Sequence, residues 1–270
     1  MMVPNYMQLW GAARGLGADV RTFALREREG RWAPDLDELD AAVTSSTRLI
    51  AVCNPNNPTG AVMTGSEIER VCAIASRVGA WILSDEVYRG AERVNSLTPS
   101  FWGRYERALV VSGLSKAYGL PGLRIGWVVG PSGFIDDLWS YKDYTTICPS
   151  PLSDRLAQIA LEPASRQRIL ERTRSIIRRQ YPVLEEWLTS QEGVFSFIAP
   201  EAGAIVYARY NVEMKSGELI ERLRTEKSVL AVAGEHFGMD RYIRIGFGHD
   251  VDHLRSGLAL FAELLEEVVV

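Results

Sequence analysis

Short β-branched runs alternating with longer segments of helical period constrain this chain more than any other feature. The runs fall at residues 19–25, 49–53, 81–84, 108–112 and 125–129. Such alternation predicts parallel strands joined by crossover helices. Between the second and third runs, residues 66–78 carry Ile68, Val71, Cys72, Ile74 and Ala75 on one helical face, which predicts a helix covering the sheet. From residue 151 to about 190 the pattern is helical. The arginine-rich stretch 166–179 puts charge on one side and Leu170, Ile176 and Ile177 on the other, and the simplest expectation for those arginines is a solvated face. Strand-like runs then follow at 194–198, 204–207, 229–232 and 242–247, with helices at 216–227 and from about 251. The expected fold class is α/β, a mostly parallel sheet with flanking helices plus a smaller C-terminal α+β unit. The expected bounds are 1–165 for the large unit, 166–190 for a connecting helix and 191–270 for the small one.

Composition narrows the function. Thirty basic against 34 acidic residues leave a net charge of -4, without the basic footprint of a nucleic-acid binder. Cys53, Cys72 and Cys148 are widely spaced and odd in number, and the three histidines all follow residue 235, so neither a disulfide framework nor a metal site is expected. The first residues, Met-Met-Val-Pro-Asn-Tyr, lack the charged and apolar regions of a secretion signal, and no apolar stretch is long enough to cross a bilayer. The expectation is a cytoplasmic protein with no membrane partner.

Three stretches carry chemistry. Asn54-Pro55-Asn56-Asn57-Pro58-Thr59-Gly60 follows a buried run, so it sits at a strand's carboxyl end, where open α/β sheets place ligands. By itself such a cluster reads as a turn. Ser84-Asp85-Glu86-Val87-Tyr88 also ends a strand and gathers two carboxylates and a phenol, although Asp85 alone would read as a helix cap. The third stretch runs from Ser112-Gly113-Leu114-Ser115-Lys116 through Ala117-Tyr118-Gly119-Leu120-Pro121-Gly122-Leu123-Arg124 to Ile125-Gly126-Trp127.

Together these motifs resemble the class I/II aminotransferases, fold-type I enzymes that depend on pyridoxal 5'-phosphate, and the resemblance runs from Pro4 to the last helix. It implies that Lys116 is the catalytic lysine, holding the cofactor aldehyde and moving a proton at the substrate carbon. Asp85 matches the carboxylate that faces the pyridine nitrogen, and Asn57 and Tyr88 match the pair that hydrogen-bonds the phenolic oxygen. Arg124 matches the phosphate-binding arginine, with Ser112 and Ser115 as further donors, while Gly113 stands where a phosphate-binding serine is common. Pro4-Asn5-Tyr6 resembles the segment whose aromatic ring, here Tyr6, lies on the pyridine. Relatives often have cis peptide bonds before the prolines matching Pro4 and Pro58. Arg244 is similar to the arginine that clamps the substrate carboxylate, with Asn57 beside it. Arg241 reads as a surface charge, His236 as a loop histidine, and Ala233-Gly234 stands where Pro-Gly is frequent.

The resemblance further implies α-amino acid and 2-oxo acid substrates and a homodimer, with residues 141–148 in the shared wall. Relatives carry a segment ahead of the position matching Met1, so the large domain is expected to be N-terminally incomplete. Two alternatives to transamination stay open: cofactor-dependent elimination, cyclisation or oxidation of an amino acid, and an inactive truncated remnant.

Overall fold

The computed structural model describes residues 1–94 and 97–268. The chain opens with β1 (Met2–Val3), α1 (Met7–Gly15), β2 (Phe23–Arg28), β3 (Arg31–Pro34) and α2 (Leu36–Ala42). β1 pairs parallel with β2, and β2 forms a hairpin with β3. The run expected at 19–25 thus starts later and extends further. Its exposed second half, Arg26 to Arg28, binds β3 instead of continuing a parallel sheet.

The central sheet consists of β4 (Leu49–Cys53), β5 (Trp81–Asp85), β6 (Ala108–Gly113) and β7 (Gly126–Val129), in that order. The first three strands are parallel. β7 is antiparallel to β6, which corrects the expectation that this run continues the parallel series. The link from β6 to β7 is a compact turn with no helix long enough to carry the chain back across the sheet, so the only available pairing is a hairpin-like one.

One face of this sheet is sealed by α3 (Gly65–Val78). Thr64 Oγ1 accepts from the Glu67 N–H while the Glu67 carboxylate accepts from the Thr64 N–H, a reciprocal box that satisfies two amide donors at the helix start. Gly79 ends the helix in the left-handed region. The five apolar residues of the predicted face are all buried, against Ile50, Val52, Ile82 and Val110 of the sheet. Strand periodicity sends Leu49 and Leu83 to the opposite face, where α4 (Ser132–Lys142) sets Phe134 on the Trp81 ring.

Two more helices follow, α5 (Pro151–Leu161) and the long α6 (Pro163–Ser190). The rest of the chain forms β8 (Phe195–Phe197), β9 (Ile205–Tyr210), α7 (Ser216–Lys227), β10 (Val232–Ala233), β11 (Tyr242–Gly246) and α8 (Val251–Val268), whose strands make an antiparallel sheet ordered β10-β11-β9-β8. The strand expected at 229–232 shrinks to two residues. Gly234 explains the turn after it, because a Cβ there would collide with the carbonyl oxygens of Met239 and Tyr242. A core of Leu184, Leu188, Val206, Leu219, Ile243 and Phe261 binds this sheet to α6, α7 and α8.

Contrary to expectation, the arginine run of α6 is not simply solvated. Arg174 forms an ion pair with Glu92, a residue only 1% exposed, and Arg172 and Arg166 both donate to Tyr118. Long side chains with apolar stems can pack at an interface while their heads find partners, and a bare charge pattern does not separate that from solvation. Among the described residues no helix is long and apolar enough to cross a membrane.

Candidate active site

The site lies where the parallel strands end level. Cys53 pairs with Asp85 in register, and Asp85 with Val111, so the loops after β4, β5 and β6 leave the sheet side by side. All nine residues singled out from the sequence line one cavity of about 580 Å³ there: Tyr6, Asn57, Asp85, Tyr88, Ser112, Ser115, Lys116, Arg124 and Arg244. His236 and Arg241 lie outside it. Arg241 is exposed and reaches Glu213 at 3.4 Å, as a surface charge would.

The loop after β4 divides its asparagines between structure and site. Asn54 accepts from the Met63 N–H, and Asn56 accepts from both the amide and the hydroxyl of Thr59 while donating to the Pro4 carbonyl. The turn reading therefore holds for Asn54 and Asn56. The bond from Asn56 to Pro4 also ties the Tyr6 segment to this loop. Asn57 faces the cavity and accepts from Arg244 Nη1 at 2.9 Å. The peptide bonds before Pro4, Pro55 and Pro58 are cis. Gly60 (φ +69°) closes the loop against the C-terminal sheet unit, where an added Cβ would stand 2.5 Å from Pro200 Cβ and 2.7 Å from the Ala202 oxygen.

After β5 the two adjacent carboxylates part company. Glu86, 2% exposed, turns inward and accepts from Ser84, Ser100 and the Phe101 N–H. Asp85 faces the cavity, with one oxygen held by the Val87 N–H at 3.1 Å. Burial pushes the Asp85 carboxyl above its usual range, partly offset by that N–H and by the nearby Lys116 charge. No helix follows, so Asp85 caps none. Burial also lifts the Tyr88 phenol to about 12 against the opposing pull of Arg244.

The turn after β6 is set by the pattern of its side chains. Leu114, Ala117 and Tyr118 are buried, which leaves Ser115 and Lys116 on the cavity side, and Gly119 N–H closes the turn on the Lys116 carbonyl. Gly113 has a steric reason: a Cβ there would meet the Ile125 oxygen at 2.9 Å and Gly126 Cα at 3.2 Å. The departure from serine follows from that close approach of β6 to β7. Arg124 adopts φ +55°, uncommon for a residue with a side chain, and donates to the Pro121 carbonyl at 3.0 Å.

Arg244 enters from β11, opposite Tyr207 in register, with its guanidinium 5.5 Å from the Phe237 ring centre. Burial lowers its pKa, partly offset by Tyr88 and Tyr6. Two lining residues, Cys53 and Gln8, escaped the sequence reading. Cys53 directly precedes Asn54 at the strand end, a placement that strand register makes legible. Gln8 follows Tyr6 by two residues on an exposed helical turn and carries no such signal.

Residues 1–260 match the family described as aminotransferase class I and II. The chain belongs to that family. It is 34% identical to the capreomycidine synthase of Streptomyces vinaceus over 97% of this chain and 67% of that protein. Among solved structures, a PLP-dependent aminotransferase from Streptococcus suis superposes with a TM-score of 0.91 at 38% identity, covering 99% of this chain and 70% of that one. The aspartate aminotransferase of Thermus thermophilus with maleate superposes with a TM-score of 0.90 at 27% identity, covering 98% and 69%. The fold is that of the pyridoxal-phosphate-dependent aminotransferases. The chain spans about two thirds of the length of the curated relatives it matches.

Proposed function

We propose that this chain acts as a pyridoxal-phosphate-dependent aminotransferase, moving an amino group between an α-amino acid and a 2-oxo acid. The observation that carries the reading is the convergence of nine chemistry-bearing side chains, from Tyr6 to Arg244, on one cavity. The residues suit that cofactor. A buried carboxylate whose charge is disfavoured by its surroundings is matched to a protonated ring nitrogen, and the arginine and serines at the far turn are matched to a phosphate.

When bound, pyridoxal phosphate supplies an electron sink for the charge left at the substrate carbon. Lys116 would hold the cofactor aldehyde through Nζ and would carry a proton to and from the substrate carbon. Asp85 would keep the ring nitrogen protonated by charge. Tyr88 and Asn57 would donate to the phenolic oxygen, Tyr6 would offer a flat face, and Arg124, Ser112 and Ser115 would hold the phosphate. Arg244 receives the substrate carboxylate with its planar fork, while the Asn57 oxygen fixes the direction of that fork. A homodimer fits the same reading, since Tyr141, Tyr144 and Ile147 are 70%, 89% and 68% exposed in a stretch expected to face a neighbouring subunit.

A second reading, cyclisation or elimination on the same cofactor, is favoured by the 34% identity to capreomycidine synthase. Product analysis separates the two. Transamination releases a 2-oxo acid and needs an oxo-acid acceptor to turn over, whereas cyclisation and elimination turn over without one. The test of the shared reading is visible absorbance. Protein mixed with pyridoxal phosphate keeps that absorbance through gel filtration on either reading, and for transamination it also loses it on addition of an amino donor and regains it with an oxo acid. A colourless eluate would refute both readings.

A further inference from the structure

The long helix α6 touches both loops that present the reactive groups, and it does so through arginines. Arg172 Nη2 donates to the Tyr118 carbonyl at 2.9 Å, and Arg166 Nε to the Tyr118 hydroxyl at 3.0 Å, two residues beyond Lys116. Two residues further along the helix, Arg174 Nη2 donates to Glu92 at 2.9 Å. The other Glu92 oxygen accepts from the Gly90 N–H at 2.9 Å and from the amide and hydroxyl of Thr98, so one carboxylate ties down the turn that begins at Tyr88. The Ala91 N–H closes that turn on the Tyr88 carbonyl.

We propose that Arg172 and Arg174 are positioning residues of the reaction, fixing the Lys116 loop and the Tyr88 turn against each other from a single helix. The packing between the two arginine contacts supports this. Gly90 (φ +106°) sits so close to α6 that a Cβ would stand 2.9 Å from Leu170, and the same position faces Ala117 of the lysine loop at 3.6 Å. The Ala117 N–H donates to the Val87 carbonyl at 3.3 Å, joining the two loops directly. The three segments thus meet at one junction, and a shift of α6 moves lysine and phenol together. Burial works against the Glu92 charge, but the N–H groups of Gly90 and Thr98 hold its carboxyl below the usual range, so the anchor stays ionised for Arg174. Glu92 is 1% exposed and the Arg174 side chain 22%, which shields the pair from solvent screening.

The proposal rests on the roles given above to Lys116 and Tyr88, and its first test is independent of cofactor. Amide hydrogen exchange is compared between the wild-type chain, Arg174→Gln, Arg172→Ala and, as a control, Arg179→Gln at an exposed position of the same helix. Arg174→Gln speeds exchange in residues 88–92 by about tenfold and Arg172→Ala does so in residues 117–120, with the rest of the chain unchanged. Arg174→Lys recovers part of the protection. In protein loaded with pyridoxal phosphate, Arg174→Gln also raises the pH midpoint of the visible absorbance, because a loosened Tyr88 donates less to the phenolic oxygen. Wild-type exchange in both loops, acceleration spread evenly over the chain, or an equal effect from Arg179→Gln would overturn the assignment. Faster loop exchange with no bound colour in any variant would uphold the strut and fault the cofactor reading.

Discussion

Arg244 Nη1 lies 2.9 Å from the side-chain oxygen of Asn57, across 187 residues of sequence. The bond joins β11 of the C-terminal sheet to the loop after β4 of the central sheet. It leaves the rest of the guanidinium fork to face the cavity, in a place partly removed from water. A carboxylate arriving there meets a donor that is already oriented, so little ordering remains to be done on binding.

Arg244→Lys replaces that fork with a point charge. The expected result is a fall of about a hundredfold in kcat/KM for amino-acid donors, carried mainly by KM, with cofactor absorbance retained. Steady-state kinetics across a donor series measures it, and an unchanged KM would show that the carboxylate binds elsewhere.

Lys116 is expected to be the sole point of covalent attachment. Borohydride reduction of loaded protein, followed by peptide mass mapping, finds the added mass on the Lys116 peptide, and Lys116→Ala abolishes it. A labelled Lys142 or Lys227 peptide in wild-type protein would reassign the attachment.

Asp85 links function to stability with a definite sign. Its folded pKa is raised above the unfolded value, chiefly by burial. The folded state is therefore penalised as pH rises through that interval, and the penalty is complete above the folded pKa. Asp85→Asn should raise the thermal midpoint of cofactor-free protein at pH 7, with the gain fading as pH falls below the usual aspartate range. The same substitution should slow the reaction with an amino donor by at least about a hundredfold, read by stopped-flow absorbance. A variant less stable than wild type at pH 7 would contradict the linkage.

Gly60 sits at φ +69° with no space for a Cβ against Pro200 and the Ala202 oxygen. Gly60→Ala should cost about 2 to 4 kcal/mol, from backbone strain and overpacking together. Urea unfolding would show it as a lower midpoint at unchanged slope, whereas a near-neutral result would mean that the seam opens without penalty.

The parts of this protein that were legible in the sequence are those governed by local period and strand ends. The face of α3 is readable because Ile68, Val71, Cys72, Ile74 and Ala75 recur at helical spacing, and Asn57, Asp85, Tyr88 and Lys116 because their stretches close apolar strand runs, whereas Tyr6, Arg124 and Arg244 are legible only through the family resemblance. The direction of β7 was not readable, since Gly126–Val129 has the same apolar character whichever way it pairs. The arginines of α6 were misjudged for a related reason: Arg172 and Arg174 take their partners from residues 54 and 82 positions away. Gly113 looked like a lost serine until β7 arrived beside it and made the missing side chain a steric necessity.

The opposite turning of Asp85 and Glu86 has a consequence for how this strand can vary. Deleting a single residue from β5 would carry Glu86 into the place of Asp85, facing the cavity, and Asp85 into the buried place of Ser84. Residue-by-residue replacement inside β5 leaves that arrangement intact, whereas such a slip turns a different carboxylate to the cavity and brings Val87 to the donors that now hold Glu86. The number of residues in the strand thus specifies the lining of the cavity as much as the identity of any of them.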